Sequence, residues 1–284
     1  MVLLYIPPVQ NLLRREVTAY ASKATGMQIQ VERIDLRFPL NLLVRGVEVI
    51  QQPDTLLSLE SLNVRVQAWP LLKGKVEVDE VTLSQVAVNS ANLIEGMQIK
   101  GVLGRFFLQS HGVDLSNETA VVNRTELSDT HIQLLMTDTT TTPKDTTASA
   151  PVNWKVNLHQ LKLKNVSFGM KLPADSMKMA AYIGEATIDD AKADLKNQFY
   201  GLKQFLLSGA SASYDTGEAQ PSEGFDASHM AVRNIRIGLD SLLYEGRNMN
   251  AVIREITMEE RSGLSITSLT GRLFSNDSII RIPE

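Results

Sequence analysis

Val156-Asn157-Leu158-His159-Gln160-Leu161-Lys162-Leu163-Lys164-Asn165-Val166-Ser167-Phe168 is the stretch on which the reading of the fold turns. Val156 and Leu158 alternate with polar residues, as do Leu161 and Leu163, and then Val166 and Phe168. A period of two is the mark of a β-strand with one apolar face. The alternation slips twice, from Leu158 to Leu161 and from Leu163 to Val166. A three-residue gap turns the apolar face over unless the chain bulges or turns there.

The same grammar fills most of the chain. Met27, Ile29 and Val31 alternate, then Ile34, Leu36 and Phe38, then Leu62, Val64 and Val66, then Val81 and Leu83, then Ile235, Ile237 and Leu239. Further slips run from Val31 to Ile34, Val44 to Val47, Leu59 to Leu62, Val78 to Val81 and Leu83 to Val86. Slips inside unbroken strand patterns predict kinks that bend a long sheet while keeping one face apolar. A compact sandwich with hairpins at the slips leaves a similar pattern. The fold class expected is mainly β: an N-terminal amphipathic helix, then a long, curved, largely antiparallel open sheet.

The helix is expected over residues 1–26, capping the groove of such a sheet. Val9, Leu12, Leu13, Val17, Tyr20, Ala21 and Ala24 recur at helical spacing, with Pro8 at the start and Gly26 at the C-terminal cap. This face is expected to pack on the core. Residues 27–136 form a first β segment. Residues 137–151 (TDTTTTPKDTTASAP) lack large apolar groups and are expected to be a mobile Thr-rich loop, a long hairpin connection rather than a domain linker. Residues 152–284 form a second β segment continuing the same sheet. Pro70-Leu71-Leu72-Lys73-Gly74 is a short insert without strand pattern. The chain opens on the apolar run Val2 to Val9 and stops within a strand pattern, so both ends look cut, with a membrane anchor expected before the first residue.

The bulk numbers exclude several classes. With 284 residues and 43% hydrophobic residues the chain can bury apolar surface and is not disordered. A net charge of −4 gives no footprint for nucleic acid, and 6% aromatic content offers few stacking platforms. Cysteine is absent, which removes disulfides and thiolate chemistry. No phosphate loop, nucleophile elbow or HExxH pair occurs. Asp189, Asp190 and Asp194 lack the ligand order of a calcium loop and suggest a solvated turn. Glu259-Glu260-Arg261 suggests a turn with a surface ion pair. No catalytic residue, metal or cofactor is expected, and the chain is read as a non-enzyme. The expected lining of the apolar groove is Val47, Val49, Leu62, Val64, Val66, Val76, Val78, Leu83, Val156, Leu158, Ile235 and Ile237.

Two stretches carry a family resemblance. Tyr5 to Leu83 runs from Pro7-Pro8-Val9-Gln10 into a helix ending at Thr25-Gly26, then through Phe38-Pro39, Gly46-Val47, Asp54-Thr55-Leu56-Leu57 and Pro70-Leu71-Leu72-Lys73-Gly74. Gly224 to Leu273 includes Gly224-Phe225-Asp226, His229 and Glu260-Arg261-Ser262-Gly263-Leu264. Both resemble TamB-like members of the AsmA-like superfamily. The resemblance implies an inner-membrane anchor, a periplasmic body, and a bent open-sided sheet with a greasy interior. It also implies a role in conducting phospholipid between inner and outer membrane, with an outer-membrane barrel protein of the TamA/BamA type as partner. Three functions are in play: a lipid conduit, a scaffold that lends a sheet edge to outer-membrane strands, and a structural β-protein with a filled core.

Overall fold

Alternating strands of Val, Ile and Leu suit a pleated surface, and each strand needs a partner for its backbone on both sides. The computed structural model describes residues 7–67, 77–90, 93, 96–114, 117–137, 153–217, 219–276 and 279–281. Its elements are α1 (Pro7–Thr25), β1 (Gln28–Arg37), β2 (Asn41–Gln51), β3 (Asp54–Val66), β4 (Val78–Asn89), β5 (Met97–Asp114), β6 (Thr119–Met136) and β7 (Lys155–Leu172). They continue with β8 (Met177–Asp194), β9 (Phe199–Leu202), β10 (Gln204–Asp215), β11 (His229–Glu245), β12 (Asn248–Glu260), β13 (Ser265–Ser275) and β14 (Ile280–Arg281).

All 14 strands belong to one sheet in chain order, with β9 and β10 forming one interrupted strand between β8 and β11. Among the described residues each strand contacts its ladder neighbours, and neither face carries a second layer. No large side chain among them is fully buried. The buried large apolar residues, Ile34, Leu40, Leu56 and Leu59, all lie in β1–β3 and the β1–β2 turn, at the end of the sheet where α1 lies.

Every adjacent pair is antiparallel except β6 and β7, which run parallel from Thr119 opposite Lys155 to Leu135 opposite Lys171. This corrects the expected hairpin connection: a hairpin reverses direction, and these strands do not. Residues 138–151 of the Thr-rich segment lie outside the described residues, as do Pro70 to Gly74, Val76 and the opening run as far as Ile6.

The helix is where the pattern points, but its orientation is different. Gly26 has φ +70 and donates its N–H to Ser22 O at 3.0 Å, a left-handed cap. Gln10 Nε2 donates to Leu36 O (3.0 Å), Arg14 donates to Glu32 O (2.7 Å), and Ile29 N donates to Ser22 Oγ (3.0 Å). These polar side chains supply partners to the outer edge of β1. Leu12 (57%), Val17 (45%) and Tyr20 (77%) are exposed, so these residues do not pack on a core as expected. The unpaired edge of β1 takes the helix's polar side, which covers a strand that would otherwise be a template for pairing. The side chains of Val9 and Leu13 are outside the description.

The seven slips all fall inside strands. Five mark one line across the sheet. Pairing omits Glu32 with Gly46, Gly46 with Glu60, Glu60 with Gln85, Gln85 with Gly104, Gly104 with Asp129, Asp129 with Asn165, and Asn165 with Gly184, and it resumes beyond each in the same register. We call this line the first seam. Left-handed residues mark it on every strand of one direction from β2 to β10: Gly46 (φ 59), Gln85 (φ 50), Asp129 (φ 52), Asn165 (φ 54) and Gly209 (φ 61). Gly, Asn and Asp tolerate that conformation best. Asp129 and Asn165 both adopt it because β6 and β7 run the same way, and Asn165 Nδ2 donates to Asp129 Oδ1 at 2.8 Å.

Leu158 to Leu161 marks a second seam through Asn123, His159, Asp190 and Lys203. Asp190, with φ 48, accepts from Lys203 Nζ at 2.7 Å and pairs with His159 Nδ1 at 3.0 Å. The Lys203 hydrogen bond, then that of His159, holds its carboxyl below the usual carboxylate range. Asp189 and Asp190 are thus mid-strand residues of β8, and only Asp194, at its end, meets a turn, where Asn197 N donates to Oδ1 at 3.1 Å. The expected solvated turn at Asp189 and Asp190 is corrected: two carboxylates stand inside a strand, Asp190 hydrogen-bonded to Lys203 and His159 and Asp189 accepting from Gln160 Nε2 at 3.0 Å. The seventh slip, Val78 to Val81, is a bulge at Asp79, where Arg65 faces Glu80 but Val66 faces Val78.

Candidate functional site

Beside the first seam most strands contribute two apolar residues two positions apart, so both point to one side of the pleat. Register links them from strand to strand. One row runs Ile34, Val44, Leu62, Leu83, Phe106, Leu127, Leu163, Ala186, Leu207, Ile237, Ile256, Leu269, each paired with the next. The neighbouring row runs Leu36, Leu42, Val64, Val81, Leu108, Thr125, Leu161, Ile188, Phe205, Leu239, Ile253. The residues flanking these rows point the other way and are mostly polar, with Leu43, Phe107 and Leu206 as exceptions between the rows. One flank reads Arg33, Arg45, Ser61, Ser84, Arg105, Ser128, Lys164, Glu185, Ser208. The sheet is therefore two-faced over its middle, with a continuous apolar strip uncovered by any described element.

Beyond the first seam the phase resets in all strands together. Val31, Val47, Leu59, Val86 and Leu103 pair in one row, and Ile29, Val49, Leu57 and Val88 in the next. Ile132 and Phe168, paired across β6 and β7, are each 39% exposed. Beyond the second seam Val156 pairs with Ala193, Leu158 with Ala191 and Tyr200 with Tyr244, the two tyrosine rings 5.9 Å apart. Along β7 the result is a five-residue cadence, two apolar residues per segment.

The expected lining residues fall as follows. Leu62, Leu83 and Ile237 are in the first row and Val64 in the second. Val47 and Val49 lie in the two rows past the first seam. Val66 and Val78 form a cross-strand pair. Val156 and Leu158 lie past the second seam, and Ile235 faces Ala210 at a register shift beside the first. Val76 lies outside the described residues. Phe106, Leu127, Leu163, Leu207, Ile256 and Leu269 belong to the first row and were missed as lining residues. The cadence of two apolar positions in five would have found them.

On the polar side a serine and a histidine lie within hydrogen-bond distance. His131 Nδ1 lies 2.6 Å from Ser167 Oγ, but Gln133 Nε2 donates to His131 Nε2 at 2.9 Å. The ring proton then sits on Nδ1 and is donated to the serine, so that imidazole cannot take the serine's proton. Among the described residues no group of three metal-ligating side chains occurs. A recess of about 1210 Å³ is lined in part by Ser167, Gly169, Ala180, Ser213 and Arg233, where short side chains leave room.

At one end of β11 a buried polar latch joins two loops. Asp226 accepts from Ser222 N (3.0 Å), Ser228 N (2.9 Å) and His229 Nδ1 (3.0 Å). Glu260 accepts from Ser262 N (2.6 Å) and Ala231 N (3.3 Å), and the Arg261 guanidinium donates to His229 O. Glu259, not Glu260, makes the ion pair, with Arg233 at 3.0 Å. The expected turn begins at Arg261 and its ion pair lies on the surface, but Glu260 departs from the expectation: it is buried, as is His229. The backbone N–H groups of Ser222 and Ser228, with His229, hold the Asp226 carboxyl far below its ordinary range. A depressed carboxylate contributes stability above the unfolded pKa near 4 and loses it as pH falls through the folded value. Asp226→Asn is expected to raise amide exchange at His229 to Val232 several-fold at pH 7, and to make that exchange less acid-sensitive than in the parent. Unchanged exchange would show that the latch holds nothing.

No helix among the described residues is long and apolar enough to cross a membrane. A comparison with protein-family models finds no match, and none of the curated proteins matches the chain.

Proposed function

We propose that this chain shields the acyl chains of phospholipid on its apolar face and conducts them between the inner and outer membranes of the periplasm. The supporting observation is the unbroken row from Ile34 to Leu269. At about 4.8 Å per strand its eleven steps span roughly 53 Å, longer than the ~30 Å hydrocarbon core of a bilayer. A diacyl lipid has on the order of 30 CH₂ groups at ~0.8 kcal/mol each, so keeping its tails dry is worth roughly 25 kcal/mol. A strip of Val, Leu, Ile and Phe does this with no polar pocket. The TamB-like resemblance supplies the compartment, the inner-membrane anchor and an outer-membrane barrel of the TamA/BamA type as partner. Native mass spectrometry of gently purified protein is expected to find bound phospholipid. Lipid-free protein that takes up none from vesicles would overturn the proposal.

A second reading has one observation behind it. β14 covers the outer edge of β13 only at Phe274 and Ser275, which leaves the edge of Ser265 to Leu273 unpaired among the described residues. Such an edge can accept another strand, as a scaffold for outer-membrane proteins would. Photo-reactive groups at Leu83 and Leu163 capture lipid under the first reading. Under the second, groups on β13 capture polypeptide and those in the row do not.

A further inference from the structure

We propose that the first seam is a flexure, a line about which the two parts of the sheet change their mutual angle and so widen or narrow the apolar face between them. A sheet resists bending along its strands through the backbone ladder. From β1 to β8 that ladder lacks a pair at the same position in every step. Left-handed residues stand there on every strand of one direction from β2 to β10. They reset the pleat in all strands at once, so the line is straight in register and can act as a single axis. No described element packs across either face to fix the angle. The second seam differs. Asp190 is tied across it by hydrogen bonds to His159 and Lys203, and Arg254 pairs with Asp240 beside it. Among the described residues, those of the first seam share one side-chain bond, Asn165 to Asp129. Motion is thus concentrated at the first seam. Its consequence for lipid entry rests on the lipid-shielding reading, whereas the flexure itself does not.

The chain has no cysteine, so spin labels can be placed without removing any. Lys162→Cys with Lys171→Cys puts labels on one strand across the seam, nine residues or about 30 Å apart. Arg45→Cys with Glu185→Cys puts them on one polar row, six ladder steps or about 29 Å apart, without crossing it. In lipid-free protein the seam pair is expected to give a distance distribution at least twice as wide as the row pair. Equal widths would overturn the flexure. Vesicles of phosphatidylethanolamine and phosphatidylglycerol are expected to narrow the seam distribution. A wide distribution that these vesicles leave unchanged would uphold the flexure and count against the lipid reading.

Discussion

Leu83→Asp is expected to lower phospholipid retention about a hundredfold while leaving the protein folded. Leu83 sits in the first apolar row between Leu62 and Phe106 and is only half-buried. Losing part of its burial costs the lipid-free fold about 1 kcal/mol, because full burial of a leucine is worth about 1.5–3 kcal/mol. The new carboxylate stays hydrated while the strip is bare. Covered by acyl chains it must be desolvated, which costs about 3 kcal/mol on scales for charges in hydrocarbon, or two decades in affinity. Ser84→Asp, one residue along and on the polar side, is the control and is expected to change retention less than twofold. The measurement is phospholipid carried through purification, beside the thermal midpoint. Equal losses from both variants, or an unfolded Leu83→Asp, would mean that the strip is a packed core and not a binding surface.

Gly104→Ala is expected to destabilise the protein by about 2–3 kcal/mol, in the range of an overpacked core. A Cβ there would lie 2.7 Å from Asp129 Cβ, 2.9 Å from Asp129 O and 3.1 Å from Ser128 O, and the two oxygens belong to the backbone of the next strand. Gly104 stands between Gln85 and Asp129, both left-handed. Gly184 has the same place between Asn165 and Gly209, with Gly209 O and Ser208 O each 3.0 Å from its Cβ position. Gly169→Ala is the control: it is also within a strand, but its nearest neighbours would be Gln133 Cγ at 3.9 Å and Met179 O at 4.0 Å. It is expected to be neutral within about 0.5 kcal/mol. Urea midpoints decide the matter, and similar midpoints for Gly104→Ala and Gly169→Ala would show that the seam tolerates straightening.

Much of the fold was legible because a period of two writes strands directly into the side chains. The slips were legible too, but only one strand at a time. That Val44 to Val47, Leu83 to Val86 and Leu163 to Val166 lie on one line depends on register, which no single segment carries. The parallel junction of β6 and β7 was not legible, since alternation has no direction. Gln85 gave no sign of a left-handed conformation, whereas Gly46, Asp129, Asn165 and Gly209 are residues that favour it. The helix was placed correctly and turned wrongly. Apolar spacing says which side chains share a face, but not that an open strand edge will compete for the helix's polar side. In the apolar face, the expectation named three members of the first row and overlooked Phe106 and Leu163, because membership of the row depends on pairs across strands, which alternation along one strand does not carry.

A sheet whose described strands meet chiefly their ladder neighbours approaches a one-dimensional chain of coupled units. In such arrays stability is close to a sum of unit and nearest-neighbour terms, and cooperativity has a finite reach. Unfolding would then begin at a free margin and travel strand by strand instead of collapsing at once. The parallel junction is the natural place for it to pause, since among the described strands β6 and β7 are the adjacent pair that runs parallel. Denaturant transitions followed at Trp154, beside that junction, and by overall β signal should therefore fail to coincide.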